Sequence, residues 1–321
     1  MPHGWIILDK PRGLGSTQAV AAVKRVLRKA GYGKVKIGHG GTLDPLAEGL
    51  LPIALGEATK LAGRMLDARK TYAFTIGFGE ETDTLDLEGQ VVATSDRRPP
   101  LAAVAAICEH FTGEIEQVPP AYSALKVDGR RAYDLARAGL DVELESRRVT
   151  IHSLDMVRHG SLPALESSFA TTAGRPDPFD PAAPLELADS VTLVAEVSKG
   201  TYIRSLARDI ARALNTVGHV TMLRRTRAGP FSLERAISLD FLAEAAKARR
   251  LIGAVLPLEA ALDDIPALPI TPGQAQLLRF GQRLSGFPEQ PGLQLATEDG
   301  RPVALVEATA DGLTVVRGFN I

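Results

Sequence analysis

The order in which strand-like and helix-like segments follow one another constrains this chain more than any other feature. A period of two is plainest from Tyr72 to Phe78. Tyr72, Phe74, Ile76 and Phe78 fall on one face, and Ala73, Thr75 and Gly77 on the other, as in a half-buried strand. Gly4–Leu8 reads as a short buried strand ending in a Lys-Pro-Arg-Gly turn. Ser16 or Thr17 is expected to cap a helix that keeps Val20, Val23, Val26 and Leu27 on one side and stops at Gly31. A second helix is predicted over Glu57–Ala68 with Leu61, Met65 and Leu66 inward. Further helices are predicted over Leu101–Phe111, after the tight turn Val127-Asp128-Gly129-Arg130, and over Tyr202–Leu214, with strands at Val149–Leu154 and Val191–Val197. No regular βαβ alternation runs through this order, so the pattern predicts an α+β fold rather than a doubly wound sheet.

At roughly 150 residues per domain, 321 residues suggest two. The helical pattern fades after Leu262. Short runs at Leu293–Thr297, Pro302–Glu307 and Leu313–Arg317 then alternate with Gly or Asp-Gly, which predicts a main domain over 1–262 and a small, separate β-rich domain over 263–321. Within the first, residues 161–184 hold five prolines and almost no periodicity, and are expected to be a surface loop insertion dispensable for the fold. The single cysteine, Cys108, excludes an internal disulfide, and no Cys/His set has zinc spacing. The opening MPHGWIILDKPRG lacks the pattern of a secretory signal, and no run of about 18 apolar residues occurs. A cytoplasmic protein with no membrane span and no metal is the expectation.

Net charge is −1, yet the cations are concentrated. Lys24, Arg25, Arg28, Lys29, Lys34 and Lys36 lie between Val20 and Gly38 with no acid among them. Lys199, Arg204, Arg208, Arg212, Arg224, Arg225 and Arg227 follow later, against Asp209 alone. Two such stretches on an otherwise acidic chain are the footprint of a polyanion-binding face, although two solvated helices decorated with cations would read the same way.

The stretch Gly38-His39-Gly40-Gly41-Thr42-Leu43-Asp44-Pro45-Leu46-Ala47-Glu48-Gly49 packs four glycines, a histidine and two carboxylates into twelve positions. Glycine serves where backbone must approach something closely or take positive φ, and loops of this kind commonly hold functional residues. No Gly-Lys-Ser/Thr ends it, so it is not a phosphate-binding P-loop, and its surroundings are not those of a dinucleotide fold. Asp44 before Pro45 is open to two readings, a catalytic acid or a turn former.

GHGGTLDPLAEGLLPIALGEATKL resembles the catalytic motif of the pseudouridine synthases, in particular the bacterial TruB-type branch that acts on tRNA position 55. ILDKPRG, KTYAFTIGFGEETDTLDLEG, PPAYSALKVDGRRAYDLARAG, VSKGTYIRSLARDIARAL and HVTMLRRTRAG are similar to further motifs of that branch, in its order. The tail is similar to its small PUA-like domain. The resemblance implies a mixed, mainly antiparallel central sheet flanked by helices. It also implies an isomerase that detaches uracil from its ribose, turns it and rejoins it through carbon, with neither cofactor nor metal.

The family aspartate falls on Asp44 as nucleophile, whether it attacks base or sugar or drives a glycal route, and the family arginine on Arg204. A buried carboxylate stays charged only beside a cation, so Asp44 is expected to be poorly solvated and paired with Arg204. Tyr72 matches the tyrosine that stacks on the base, Tyr202 and Leu223 match the lining of the uracil pocket, and His39 matches a histidine that fills the space the nucleotide vacates. Lys10 is expected to support the Asp44 loop. Lys24, Arg25, Arg28, Lys199, Arg208, Arg224 and Arg225 are expected to contact the backbone of the tRNA T-arm and elbow, with the protein acting as a monomer without an obligate protein partner. Two other readings fit the same residues: a related synthase acting on another RNA, and a tRNA-folding RNA-binding protein.

Overall fold

The computed structural model describes residues 2–157, 186–286 and 291–321, so the expected insertion at 161–184 lies outside the described residues. The chain runs through strand β1 (Gly4–Lys10), helix α1 (Ser16–Lys29), β2 (Ile37–His39), β3 (Glu48–Leu55), α2 (Ala62–Asp67) and β4 (Lys70–Phe78). A hairpin of β5 (Glu80–Thr82) and β6 (Val91–Thr94) precedes α3 (Leu101–His110), β7 (Gly113–Gln117), a second hairpin of β8 (Lys126–Val127) and β9 (Arg130–Arg131), and α4 (Ala132–Arg137). Then come β10 (Arg147–Val157), β11 (Ser190–Val197), α5 (Ile203–Ala213), β12 (Gly218–Ala228), β13 (Phe231–Ser232) and α6 (Leu239–Lys247). The last part holds β14 (Ala267–Pro269), α7 (Pro272–Arg279), β15 (Gly292–Glu298), β16 (Arg301–Thr309) and β17 (Gly312–Gly318).

The main sheet has the order β1-β3-β12-β4-β11-β10-β7, with β2 beside β3 and β13 beside β12. Among the described residues of this sheet, β3 and β12 run parallel and the other pairs are antiparallel. This is the mixed, mainly antiparallel α+β architecture the sequence suggested. Strand β4 lies between β12 and β11, and its Phe74 and Ile76 are buried with Ile6, Leu8, Leu51 and Ile53 against Val23 of α1 and Leu206 and Ile210 of α5. Its central place also buries Ala73 on the opposite face, where half-exposure was expected. Burial of these branched and aromatic side chains, at ~25 cal/mol per Å², is the dominant force holding the helices on the sheet.

Three local expectations need correction. Gly15, not Ser16 or Thr17, precedes the first helix, because Ser16 is drawn inward to Leu43: its hydroxyl donates to Leu43 O (2.9 Å) and accepts from Leu43 N (2.8 Å). The second helix divides into a 3₁₀ turn at Gly56–Leu61 and the short α2, and the change of pitch leaves Leu66 50 % exposed while Leu61 and Met65 stay buried. The tail also contains a helix, α7, that periodicity did not reveal. It is only eight residues long and is fixed by its N-terminus, where Thr271 and Gln274 bond reciprocally and Pro272 opens the first turn.

Strands β14 to β17 form a second sheet in sequence order, with its own core of Ala275, Leu278, Val303, Val306 and Leu313. The sheet also packs against the main body. Leu295, Leu305 and Phe319 join Trp5, Ile7, Leu50 and Leu61 in one buried cluster, so the back of β1 and β3 is covered by the tail.

Candidate active site

The glycine-rich stretch leaves β2 at His39 and returns as β3 at Glu48. A Cβ at Gly40 would sit 2.5 Å from Met65 Cβ, so glycine is what lets this turn lie against α2. The loop is tied from several directions. Gly40 N donates to Pro52 O (2.8 Å), Gly13 N donates to Pro45 O (2.7 Å), and Ser16 holds both polar groups of the Leu43 backbone. So fastened, the loop presents the Asp44 carboxylate.

Asp44 Oδ2 lies 2.8 Å from Nη2 of Arg204, in the first turn of α5. The guanidinium is almost wholly buried, and both of its terminal nitrogens are engaged. Nη1 donates to Thr84 O (2.9 Å), Nη2 donates to Tyr122 O (2.9 Å), and Asp86 Oδ2 stands 3.4 Å from Nη1. Asp86, only 2 % exposed, is itself held by Thr84 Oγ1 (2.6 Å) and Glu88 N (2.9 Å). One planar cation thus bridges a buried carboxylate and a solvent-facing one, a geometry that a fork of N–H donors can meet and an ammonium cannot. Asp86 lies in the KTYAFTIGFGEETDTLDLEG segment, where sequence reasoning assigned it no role. Its signal, a carboxylate in the tight Thr-Asp-Thr-Leu-Asp turn, is indistinguishable from an ordinary surface hairpin until its burial is known.

The environment of Asp44 differs from expectation in one respect. Its side chain keeps 39 % exposure, so the burial lies with Arg204 and Asp86 rather than with Asp44. Lys10 is buried beneath the loop and donates to Leu14 O (2.6 Å) and Pro11 O (3.0 Å); burial pushes its amine down to about 8 against the pull of Asp44 and Glu48. Burial, helped by Arg225, also holds His39 below the usual histidine range, so its ring is neutral at pH 7. Burial first, then the Asp86 and Asp44 charges, raises Glu88.

Tyr72 is part-buried on β4 and lies opposite Ala195 on β11 and Arg225 on β12, while Leu223, buried, lies opposite Phe74. Tyr202 stands immediately before α5, two residues from Arg204. Its backbone N–H donates to Gln117 Oε1 (2.8 Å), and its ring carries the Arg147 guanidinium at 4.9 Å.

The basic residues divide. Lys24, Arg25 and Arg28 are exposed along α1, open to an anionic partner. Lys199 is exposed but pairs with Asp67 (2.8 Å), and Arg208 pairs with its neighbour Asp209 (2.8 Å). Arg224 is mostly buried between Asp9 (2.9 Å) and Glu48 (3.2 Å), its charge already met by two carboxylates. Arg225, expected at the RNA backbone, is 1 % exposed and cannot reach a phosphate. In a strand of the central sheet alternate residues point inward, and that alternation overrides the basic run.

A cleft of about 460 Å³ lies away from Asp44, lined among others by Arg64, Arg69, Arg227, Asp263 and Asp264. Its charges are largely spent on one another, as in Arg64–Asp264 (2.8 Å) and Arg69–Glu196 (3.8 Å). Among the described residues no group of three His, Cys, Asp or Glu side chains could hold a metal ion, and no helix is long and apolar enough to cross a membrane.

Residues 25–174 match the family model described as TruB family pseudouridylate synthase (N terminal domain), and residues 204–263 match that of the tRNA pseudouridylate synthase B C-terminal domain. The second match runs from α5 to Asp263 and so falls within the main body, short of β14. The chain is 60 % identical over its whole length to the tRNA pseudouridine synthase B of Novosphingobium aromaticivorans, of which it covers 98 %. The chain belongs to the TruB family of pseudouridylate synthases. A second TruB relative, the tRNA pseudouridine synthase B of Zymomonas mobilis, is 54 % identical over 99 % of this chain and 96 % of its own. Among solved structures, a chain in a crystal structure of a Cbf5-Nop10-Gar1 complex superposes with a TM-score of 0.68 at 26 % identity, covering 99 % of this chain and 84 % of that one. The TruB fold is therefore shared with that chain.

Proposed function

We propose that this TruB-family chain is a tRNA pseudouridine synthase that isomerises the T-loop uridine at tRNA position 55, with Asp44 as the nucleophile on a base flipped out of the RNA. The observation that carries the reading is the partly exposed Asp44 carboxylate held 2.8 Å from a buried guanidinium at the end of a fastened loop. In the isomerisation the bond from C1′ to N1 breaks and one from C1′ to C5 forms; C5 gives up its proton and N1 is left to gain one. Nothing is added or removed, which is why the proposed reaction involves no cofactor.

Asp44 is accessible in the free protein, so a docked nucleotide is what would cover it and strengthen its interaction with Arg204. Tyr72 then offers an aromatic face to the extruded uracil, Tyr202 and Leu223 wall the pocket, and neutral His39 takes the place left in the RNA stack. Lys10 supports the loop from below. Exposed Lys24, Arg25 and Arg28 supply salt-dependent contacts to the T-arm backbone, and recognition rests on the shape of the tRNA elbow. The β14–β17 sheet is the small PUA-like module of the proposal, and a single chain suffices to grip the RNA.

The test is to incubate the purified protein with a T-arm stem-loop and map pseudouridine. Wild type is expected to modify one uridine, and Asp44→Asn to bind the RNA without modifying it. Modification by both proteins, or by neither, would overturn the reading.

A further inference from the structure

Among the described residues Arg225 is one of the largest fully buried side chains, and no carboxylate of theirs stands within ion-pair distance of it. Each of its three nitrogens donates to a backbone carbonyl: Nε to Leu50 O (2.7 Å), Nη2 to Gly41 O (3.1 Å) and Nη1 to Thr42 O (3.3 Å). Gly41 and Thr42 open the loop that carries Asp44, and Leu50 lies just past its end. One guanidinium therefore fastens both ends of the loop to β12.

The surrounding backbone leaves the fork little freedom. Arg225 pairs with Gly49 in the parallel ladder of β3 and β12, and a Cβ at Gly49, where φ is +97°, would lie 2.3 Å from Arg225 O. At Gly41 a Cβ would only touch Arg225 Nη1, at 3.4 Å, but the φ of +133° there is one that glycine adopts without strain, and it brings the Gly41 carbonyl to the guanidinium. A buried cation is costly unless its donors find acceptors, and here each guanidinium nitrogen has one. Arginine presents its donors in a rigid plane, whereas lysine could serve one end of the loop but not both.

We propose that Arg225 is a positioning residue for the reaction: it sets the backbone of the Asp44 loop, and so the place of the nucleophile, without touching RNA. The proposal rests on Asp44 being the nucleophile, and its test separates the two.

Arg225→Lys and Arg225→Gln are compared with wild type, with Asp44→Asn, and with Val306→Ala, which opens a hole in the distant β14–β17 core. For both Arg225 variants the single-turnover rate at saturating tRNA is expected to fall about 10- to 100-fold, with tRNA affinity within about two-fold of wild type. Amide exchange is expected to rise across residues 40–47. Val306→Ala is expected to lower the melting temperature without changing rate or loop exchange.

Wild-type rates in the Arg225 variants, or rate losses matched by equal losses of tRNA affinity, would overturn the proposal. So would a lysine variant as active as wild type, since charge alone would then suffice. An active Asp44→Asn would sink the nucleophile assignment instead, while leaving the loop-exchange result readable. Should neither variant fold, nitrogen-detected NMR of wild-type Arg225 decides: two resolved, slowly rotating Nη groups support the clamp, and one averaged signal rejects it.

Discussion

Arg204 carries one positive charge between two carboxylates of unlike exposure, Asp86 within and Asp44 at the surface. Replacing it with lysine keeps the charge but loses the donors to Thr84 O and Tyr122 O, and is expected to cut pseudouridine formation by about 10²-fold or more in a single-turnover assay. Lys70 makes a different residue-scale point. It is buried, donates to Leu66 O and Ala68 O, and burial brings its pKa from 10.5 down to about 8. Between those values the unfolded chain binds more protons than the native one. The charge therefore weighs against folding below about pH 8, and the penalty fades as pH rises toward 10.5. Chemical denaturation of wild type and Lys70→Met is expected to show wild type gaining about 1–3 kcal/mol on the variant across that window.

The elements around the site matter through the way they fasten one loop. α1 contributes Ser16, which an isolated helix would spend on its own cap but which here closes two bonds with Leu43. Ser16→Ala leaves a buried N–H and C=O unmet and is expected to cost ~2 kcal/mol in unfolding free energy, with faster amide exchange at Leu43. The β5–β6 hairpin supplies Thr84 and Asp86, and the segment after β7 supplies Tyr122, so Arg204 also gathers elements far apart in the chain. The site is a junction of α1, the glycine loop, a hairpin and α5, none of which could hold Asp44 in place alone.

Across the whole molecule, the β14–β17 sheet shares a core with β1 and β3 through Leu295, Leu305 and Phe319. Lys60 Nζ also donates to Gly318 O (2.8 Å), and Asn320 N donates to Glu57 Oε2 (2.9 Å). A chain ending at Leu262 bares Trp5, Ile7 and Leu50, and is expected to melt at lower temperature and aggregate rather than merely bind tRNA more weakly; calorimetry of the truncated chain checks this. Exposed cations on α1 act over the same scale. Substituting Lys24, Arg25 and Arg28 together with glutamine is expected to reduce the slope of log affinity against log salt by about two to three, measured by filter binding, with the rate at saturation little changed.

Local side-chain pattern was enough to specify the elements with strong signals and the positions of the chemical groups. Alternation along Lys70–Phe78, the tight turn at Asp128-Gly129, the three late strands and the motifs around Asp44 and Arg204 were all legible, because each is carried by side-chain pattern or by short-range turn chemistry. Tertiary structure alone decided which polar groups face inward. Arg225 sits in a basic run that reads as an RNA contact, yet the parallel pairing of β3 with β12 turns it under the loop. Asp86 reads as a hairpin acid, yet the approach of α5 makes it the inner partner of Arg204. Burial of a charge depends on what packs over it from distant parts of the chain, and no local pattern encodes that.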